Sequence, residues 1–189
     1  MKKIIFVWAI LLACFVCKGQ TVEFVAGTTQ RVFVEKTDAT ENATTFAYLE
    51  ATYNGGALLK VFREQKYWKA PVFIHAEYQT TFNGNHTAIV GPSYTYGLPT
   101  GFLSFGVFYH YDTNPGEHAV QASFCYLWNW KRLELYGYNH FWQNSAPCFF
   151  GENRAHISIT DHFKVGAILD LTYFGEFGAV PYLGIRYDF

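Results

Sequence analysis

Tyr182-Leu183-Gly184-Ile185-Arg186-Tyr187-Asp188-Phe189 closes the chain. Leu183, Ile185, Tyr187 and Phe189 occupy one set of alternate positions, and Tyr182, Gly184, Arg186 and Asp188 the other. A period of two is that of a β-strand with one apolar face and one face that carries charge. The same sorting recurs upstream. Phe163, Val165, Ala167, Leu169, Leu171 and Tyr173 oppose Lys164, Gly166, Ile168, Asp170 and Thr172. Leu103, Phe105, Val107, Tyr109 and Tyr111 oppose Phe102, Ser104, Gly106, Phe108, His110 and Asp112. Charged residues keep to one face each time.

Segments of this kind, bounded by Gly, Pro, Asn and Asp, follow one another over about residues 21–27, 30–37, 44–53, 57–65, 70–81, 86–97, 101–112, 117–129, 131–142, 153–161, 163–174 and 178–189. They predict an all-β chain: one closed antiparallel transmembrane β-barrel of twelve strands spanning residues 20–189. Ten strands is the fallback, because the segment 21–27 is short and contains Gly27. Half of the chain is hydrophobic and 20% aromatic, yet after the first residues no apolar run is long enough for a membrane-spanning helix. A β-sandwich would alternate as well; the two ends of the chain favour the barrel. With a net charge of -1 and scattered Lys and Arg there is no basic footprint for nucleic acid, and none is expected as a partner.

Met1-Lys2-Lys3, the uncharged run Ile4 to Val16 and the small residues near Gly19 read as a secretory signal peptide over residues 1–19. The alternative, lipid attachment at Leu11-Leu12-Ala13-Cys14, suffers from the bulk of Leu12. At the other end, Gly184, Tyr187 and the terminal Phe189 form a membrane-insertion signal of the kind read by the barrel-insertion machinery. The expected location is the outer membrane of a Gram-negative bacterium, with outer-membrane lipid as surroundings and a monomer as the working unit. An even strand count puts both ends on the periplasmic side. Short turns are then expected there, at Gly97 to Gly101, Asn129-Trp130 and Asp161-His162, and longer loops outside, the longest being Gln143 to Asn153. Outward Tyr94, Tyr96, Tyr109, Tyr111, Tyr126, Trp128, Tyr187 and Phe189 suit a headgroup-level girdle. Cys125 reads as mid-strand and Cys148 as part of a loop, so no disulfide is expected.

By the same parity the lumen is lined by Phe73, His75, Glu77, Phe108, His110, Arg132, Glu134, Tyr136, Tyr138, His140, Trp142, Arg154, Tyr182 and Arg186. Lys60, Gln121, His156, Lys164, Asp170 and Asp188 share that face. The series Glu134, Tyr136, Tyr138, His140, Trp142 would line one wall from end to end with hydrogen-bonding rings, a surface that suits a small hydrophilic solute with a flat polar ring. Equally, these rings fill the barrel, with Glu134 paired to Arg132 or another wall residue.

Ala70-Pro71-Val72-Phe73-Ile74-His75-Ala76-Glu77-Tyr78, Ala88-Ile89-Val90-Gly91-Pro92-Ser93-Tyr94 and Pro181 to Phe189 resemble compact outer-membrane proteins grouped with the nucleoside-specific, channel-forming porins of the Tsx-like superfamily. The resemblance runs over about residues 30–189. It implies a twelve-stranded monomeric barrel with a narrow, aromatic-lined lumen that passes nucleoside-like solutes; no binding residue carries over by position. Three other functions compete. A barrel hydrolase such as a lipid A deacylase would use His156, Ser158 and Asp170 as base, nucleophile and orienting carboxylate, but Ile157 and Ile159 hold the lipid-facing side. His75, His110, His140 and His156 offer no certified metal spacing. A structural or adhesion barrel would have its lumen closed by charge pairs. No cofactor, metal or catalysis is expected. The insertion signal yields one test: deleting Phe189 should sharply reduce the folded, membrane-integrated fraction in a fractionated Gram-negative host, while an equal yield of inserted protein would remove the signal's role.

Overall fold

The computed structural model describes residues 20–189 apart from 28, 41, 53–55, 68–69, 82–83, 114–115 and 144–145; the expected signal peptide 1–19 lies outside the described residues. Twelve strands follow in order: β1 Gln20–Ala26, β2 Gln30–Ala39, β3 Ala43–Thr52, β4 Ala57–Lys66, β5 Val72–Thr81, β6 His86–Leu98, β7 Gly101–Asp112, β8 Glu117–Trp130, β9 Leu133–Gln143, β10 Pro147–Ser158, β11 Phe163–Tyr173 and β12 Phe177–Asp188. Each pairs antiparallel with its sequence neighbours, and β1 pairs with β12, so the sheet is a closed barrel. The seam runs from Thr21↔Asp188 through Glu23↔Arg186 to Ala26↔Leu183. The doubtful first strand is thus a full member of the wall, and twelve rather than ten is the count.

Two expectations about connections fail. The tenth strand was expected at 153–161 but is Pro147–Ser158, and the outer loop expected over 143–153 shrinks to residues 144–146. Cys148 therefore lies in β10 opposite Trp142, not in a loop; it and Cys125 are both free thiols. Nor are the connections long at one end and short at the other. At the end holding Gln20 and Phe189 they are residues 40–42, 67–71, 99–100, 131–132 and 159–162; at the far end they are 27–29, 53–56, 82–85, 113–116, 144–146 and 174–176. Strands run nearly to the turn at both rims, with pairing that extends to Leu58↔Thr81 and Asp112↔Glu117. The tight turns take left-handed backbone where needed, at Lys131 with φ 55 and Gly175 with φ 91.

Outside, the wall presents large apolar side chains, among them Val107, Val120, Leu183 and Ile185. Inside, Val25, Phe33, Tyr48, Ile168 and Tyr182 form a buried cluster, with Phe46, Leu58 and Val180 packed on it. This is the sorting that closure demands, since hydrocarbon satisfies no backbone or charged group while the interior can.

At the β10–β11 pair His156↔Gly166 the strands approach so closely that a Cβ on Gly166 would lie 2.1 Å from the Ala155 carbonyl oxygen and 2.9 Å from His156 Cα. Both neighbours are backbone, so nothing there yields by rotating a side chain. Gly166→Val should cost about 3 kcal/mol or more by forced strand displacement, read as a lowered unfolding midpoint in detergent micelles; an unchanged midpoint would contradict the close approach.

Candidate functional site: the lumen and its waist

The interior charges form layers. Toward the Gln20 end, Arg186 donates from Nη1 to Glu134 Oε1 at 2.8 Å and from Nε to Asp188 Oδ1 at 2.7 Å. Lys164 Nζ reaches Glu134 Oε2 at 2.8 Å and Asp188 Oδ2 at 3.1 Å, and Thr21 Oγ1 donates to Asp188. Above them lies Arg154, which bonds Glu152 Oε1 at 2.6 Å, Glu23 Oε2 at 2.9 Å and Glu35 Oε1 at 2.7 Å. These partners sit on β10, β1 and β2, so one guanidinium spans a third of the wall. His156 Nε2 meets the other Glu23 oxygen at 2.6 Å. The next layer is Arg31, with Asp170 Oδ2 at 2.5 Å and Glu50 Oε1 at 3.4 Å; the Tyr48 hydroxyl donates to Glu50 Oε2.

The wall from β2 to β9 is lined by rings as well as charges. An arc of rings runs Phe33, Tyr48, Phe46, Phe62, His75, Phe108, with centroid separations of 4.9 to 6.2 Å. His75 bridges Glu64 at 3.2 Å and Glu77 at 3.1 Å. His110 Nδ1 lies 2.7 Å from Gln121 Oε1, His140 Nδ1 2.7 Å from Ser123 Oγ, and the His110 ring stacks on Trp142 at 5.6 Å. Lys60 Nζ bonds Glu77 Oε1 at 3.2 Å and lies 4.9 Å from the ring centre of Tyr138, five strands away on β9. This last contact crosses the lumen. The waist is therefore narrow, and among the described residues it is made by wall side chains.

Of the residues read from sequence, His75, Glu77, Phe108, His110, Arg154 and Tyr182 are buried inside; Phe73, Glu134, Tyr136, Tyr138, His140, Trp142 and Arg186 are half-buried on the same face. Tyr136, Tyr138 and His140 do form a column, with centroids 6.2 and 5.4 Å apart. Arg132 is the correction: it is exposed in the turn 131–132, before β9 begins, and Glu134 pairs with Lys164 and Arg186 instead. Sequence reasoning missed Glu23, Arg31, Glu35, Glu50, Glu64 and Glu152. The parity of β1 to β4 would have found five of these, and a correct β10 the sixth. In all, nine carboxylates (Glu23, Glu35, Glu50, Glu64, Glu77, Glu134, Glu152, Asp170, Asp188) meet five Lys or Arg (Arg31, Lys60, Arg154, Lys164, Arg186) among the described residues.

The hydrolase arrangement is not assembled. His156 is wholly buried with Nε2 on Glu23 and Nδ1 without a hydrogen-bond partner, and Asp170 is bound to Arg31. No cluster of three or more metal-ligating side chains occurs among the described residues.

No family model and no curated protein sequence matches the chain. Solved structures do. A KdgM porin in complex with disordered oligogalacturonate matches with a TM-score of 0.61 at 5% identity, and a NanC porin with 0.61 at 11%; each alignment covers 90% of this chain and 98% of the other. A second KdgM porin structure gives 0.59 at 6% over the same shares. At such identities the likeness is one of fold: the chain shares its overall fold with these porins.

Breaking a buried ion network by removing one partner strands the others in a poorly solvated site. Arg154→Ala leaves Glu23 and Glu152, both about 1% exposed or less, without their cation. The expected loss is about 3–5 kcal/mol, measured as the unfolding free energy in micelles, and the double change Arg154→Met with Glu152→Gln should recover part of it. Equal stability of Arg154→Ala and the parent would show that the network carries no load.

Proposed function

We propose that the protein is a porin-like barrel of the Gram-negative outer membrane that passes small hydrophilic solutes by passive diffusion. The observation that carries this reading is a closed wall, apolar outside, whose inner face holds a continuous series of charged, amide and aromatic groups from one rim to the other. An interior that served only as a core would be filled more cheaply by aliphatic side chains, since each buried ion costs several kcal/mol in desolvation. The fold likeness to the KdgM and NanC porins supports the same reading. Residues 1–19 would direct export and leave, and the C-terminal strand would engage the insertion machinery. The protein works as a monomer without cofactor or catalysis.

Within that reading the solutes are small and nucleoside-like. The column Tyr136, Tyr138, His140 and the His110–Trp142 stack offer ring faces bordered by donors and acceptors, matching the aromatic-lined lumen that the sequence resemblance to nucleoside channels implies. A second reading, a structural barrel with a closed lumen, is favoured by two contacts: Lys60 meets Tyr138 across the waist, and Arg154 reaches over three strands to Glu35.

Proteoliposome swelling decides between them. Nucleosides and monosaccharides should enter and trisaccharides should lag, as expected of a waist narrower than an open porin channel. If no solute of any size enters and planar bilayers stay silent, the closed barrel replaces the channel.

A further inference from the structure

Three cations at the waist share one kind of seat. Lys60 Nζ lies against Glu77 and 4.9 Å from the centre of the Tyr138 ring. The Arg31 guanidinium lies 3.9 Å from the ring centre of Tyr182, between Asp170 and Glu50. That of Arg154 lies 5.0 Å from Phe33 among three carboxylates. A ring face with its negative quadrupole, flanked by carboxylates, is the arrangement that recognises organic cations.

Two independent observations point beyond internal pairing. Among the described residues the ion pairs use nine carboxylates and only five Lys or Arg, and even with His75 and His156 counted as cations the carboxylates remain in the majority. A network that served stability alone would balance. In addition, Asp170 is 8% exposed and its Oδ1, like the Nε of its partner Arg31, is buried without a hydrogen-bond partner, so the Arg31 seat is not fully satisfied from within.

Resting on the channel reading above, we infer that the lumen selects for cations, and that its waist holds a seat for a small organic ammonium or guanidinium ion which Lys60 fills at rest. The two arginines are fixed by forked bonds to several partners. Lys60 is a point charge on a flexible stem with one carboxylate and one ring. It can withdraw when a passing ammonium takes its place, and the passing ion then moves on when Lys60 returns. An acidic narrow passage concentrates cations at least about 10-fold over bulk. Acidic solutes, the oligogalacturonate of the KdgM complex among them, meet repulsion here.

The test is the reversal potential of the purified protein in planar bilayers under a KCl gradient at pH 8. A potential of cation sign with a K+/Cl− permeability ratio of about 10 is expected. Conductance with no preference or an anion preference overturns the selectivity and leaves the channel standing; absence of any conductance overturns both. For the seat, Lys60→Gln should raise methylammonium conductance relative to K+ about threefold, the scale of one cation–π contact, and Glu77→Gln should lower it. An unchanged or reduced methylammonium ratio in Lys60→Gln removes the seat, and because the parent's reversal potential needs no variant, misfolding of either mutant leaves the selectivity itself open to refutation.

Discussion

Six residue pairs, from Thr21↔Asp188 to Ala26↔Leu183, join β1 to β12, and with that seam the sheet has no edge. In hydrocarbon an open edge would expose a row of unpaired N–H and C=O groups at several kcal/mol each. Once the ring is shut, every strand has one face toward lipid and one toward the interior, and a one-residue slip would exchange them all. The placement of each charge described above follows from this closure, since an ionised group on the outer face would be intolerable and the interior is the only refuge.

The interior in turn reinforces the seam. Thr21 bonds Asp188 across it, Arg154 reaches over β11 and β12 to Glu23 and Glu35, and Arg31 on β2 holds Asp170 on β11. The strand with the fewest ladder residues, β1, thereby gains side-chain ties to both flanks. Such pairs give little net stability against a well-packed apolar core, but they are costly to break singly. That makes register at the seam specific: a shifted β1 would leave Glu23 facing hydrocarbon and take from Arg154 one of its three carboxylates.

Much of this was legible from alternation. The parity of β5, β7, β11 and β12 assigned inward and outward side chains correctly because charge and apolar residues separate cleanly there. It failed at β10. Asn153 reads as a loop residue and Phe149-Phe150 breaks the alternation, yet Asn153 lies on the outer face, where its amide exchanges hydrogen bonds with Asn139 on β9 and accepts one from the Tyr126 hydroxyl. Amides that satisfy each other across a ladder leave no signal in a single segment. The charge layers were hidden for a similar reason: Glu23 with Arg154, or Arg31 with Asp170, are separated by more than a hundred residues, and only the barrel's circumference brings them within reach. The lining rings could be read from sequence; which of them meet across the lumen could not.

All strand pairs but one join neighbours in the chain through connections of two to five residues. Eleven hairpin closures are therefore local and fast, whereas the twelfth must bring together segments about 160 residues apart. The extra chain entropy for that step, relative to a four-residue turn, is about 3 kcal/mol. Assembly thus has an intrinsic order: a curling ribbon grows strand by strand, and its first strand waits exposed until the last has been made. Any factor that shelters β1 during that interval would govern the yield of the finished cylinder more than factors acting on the hairpins.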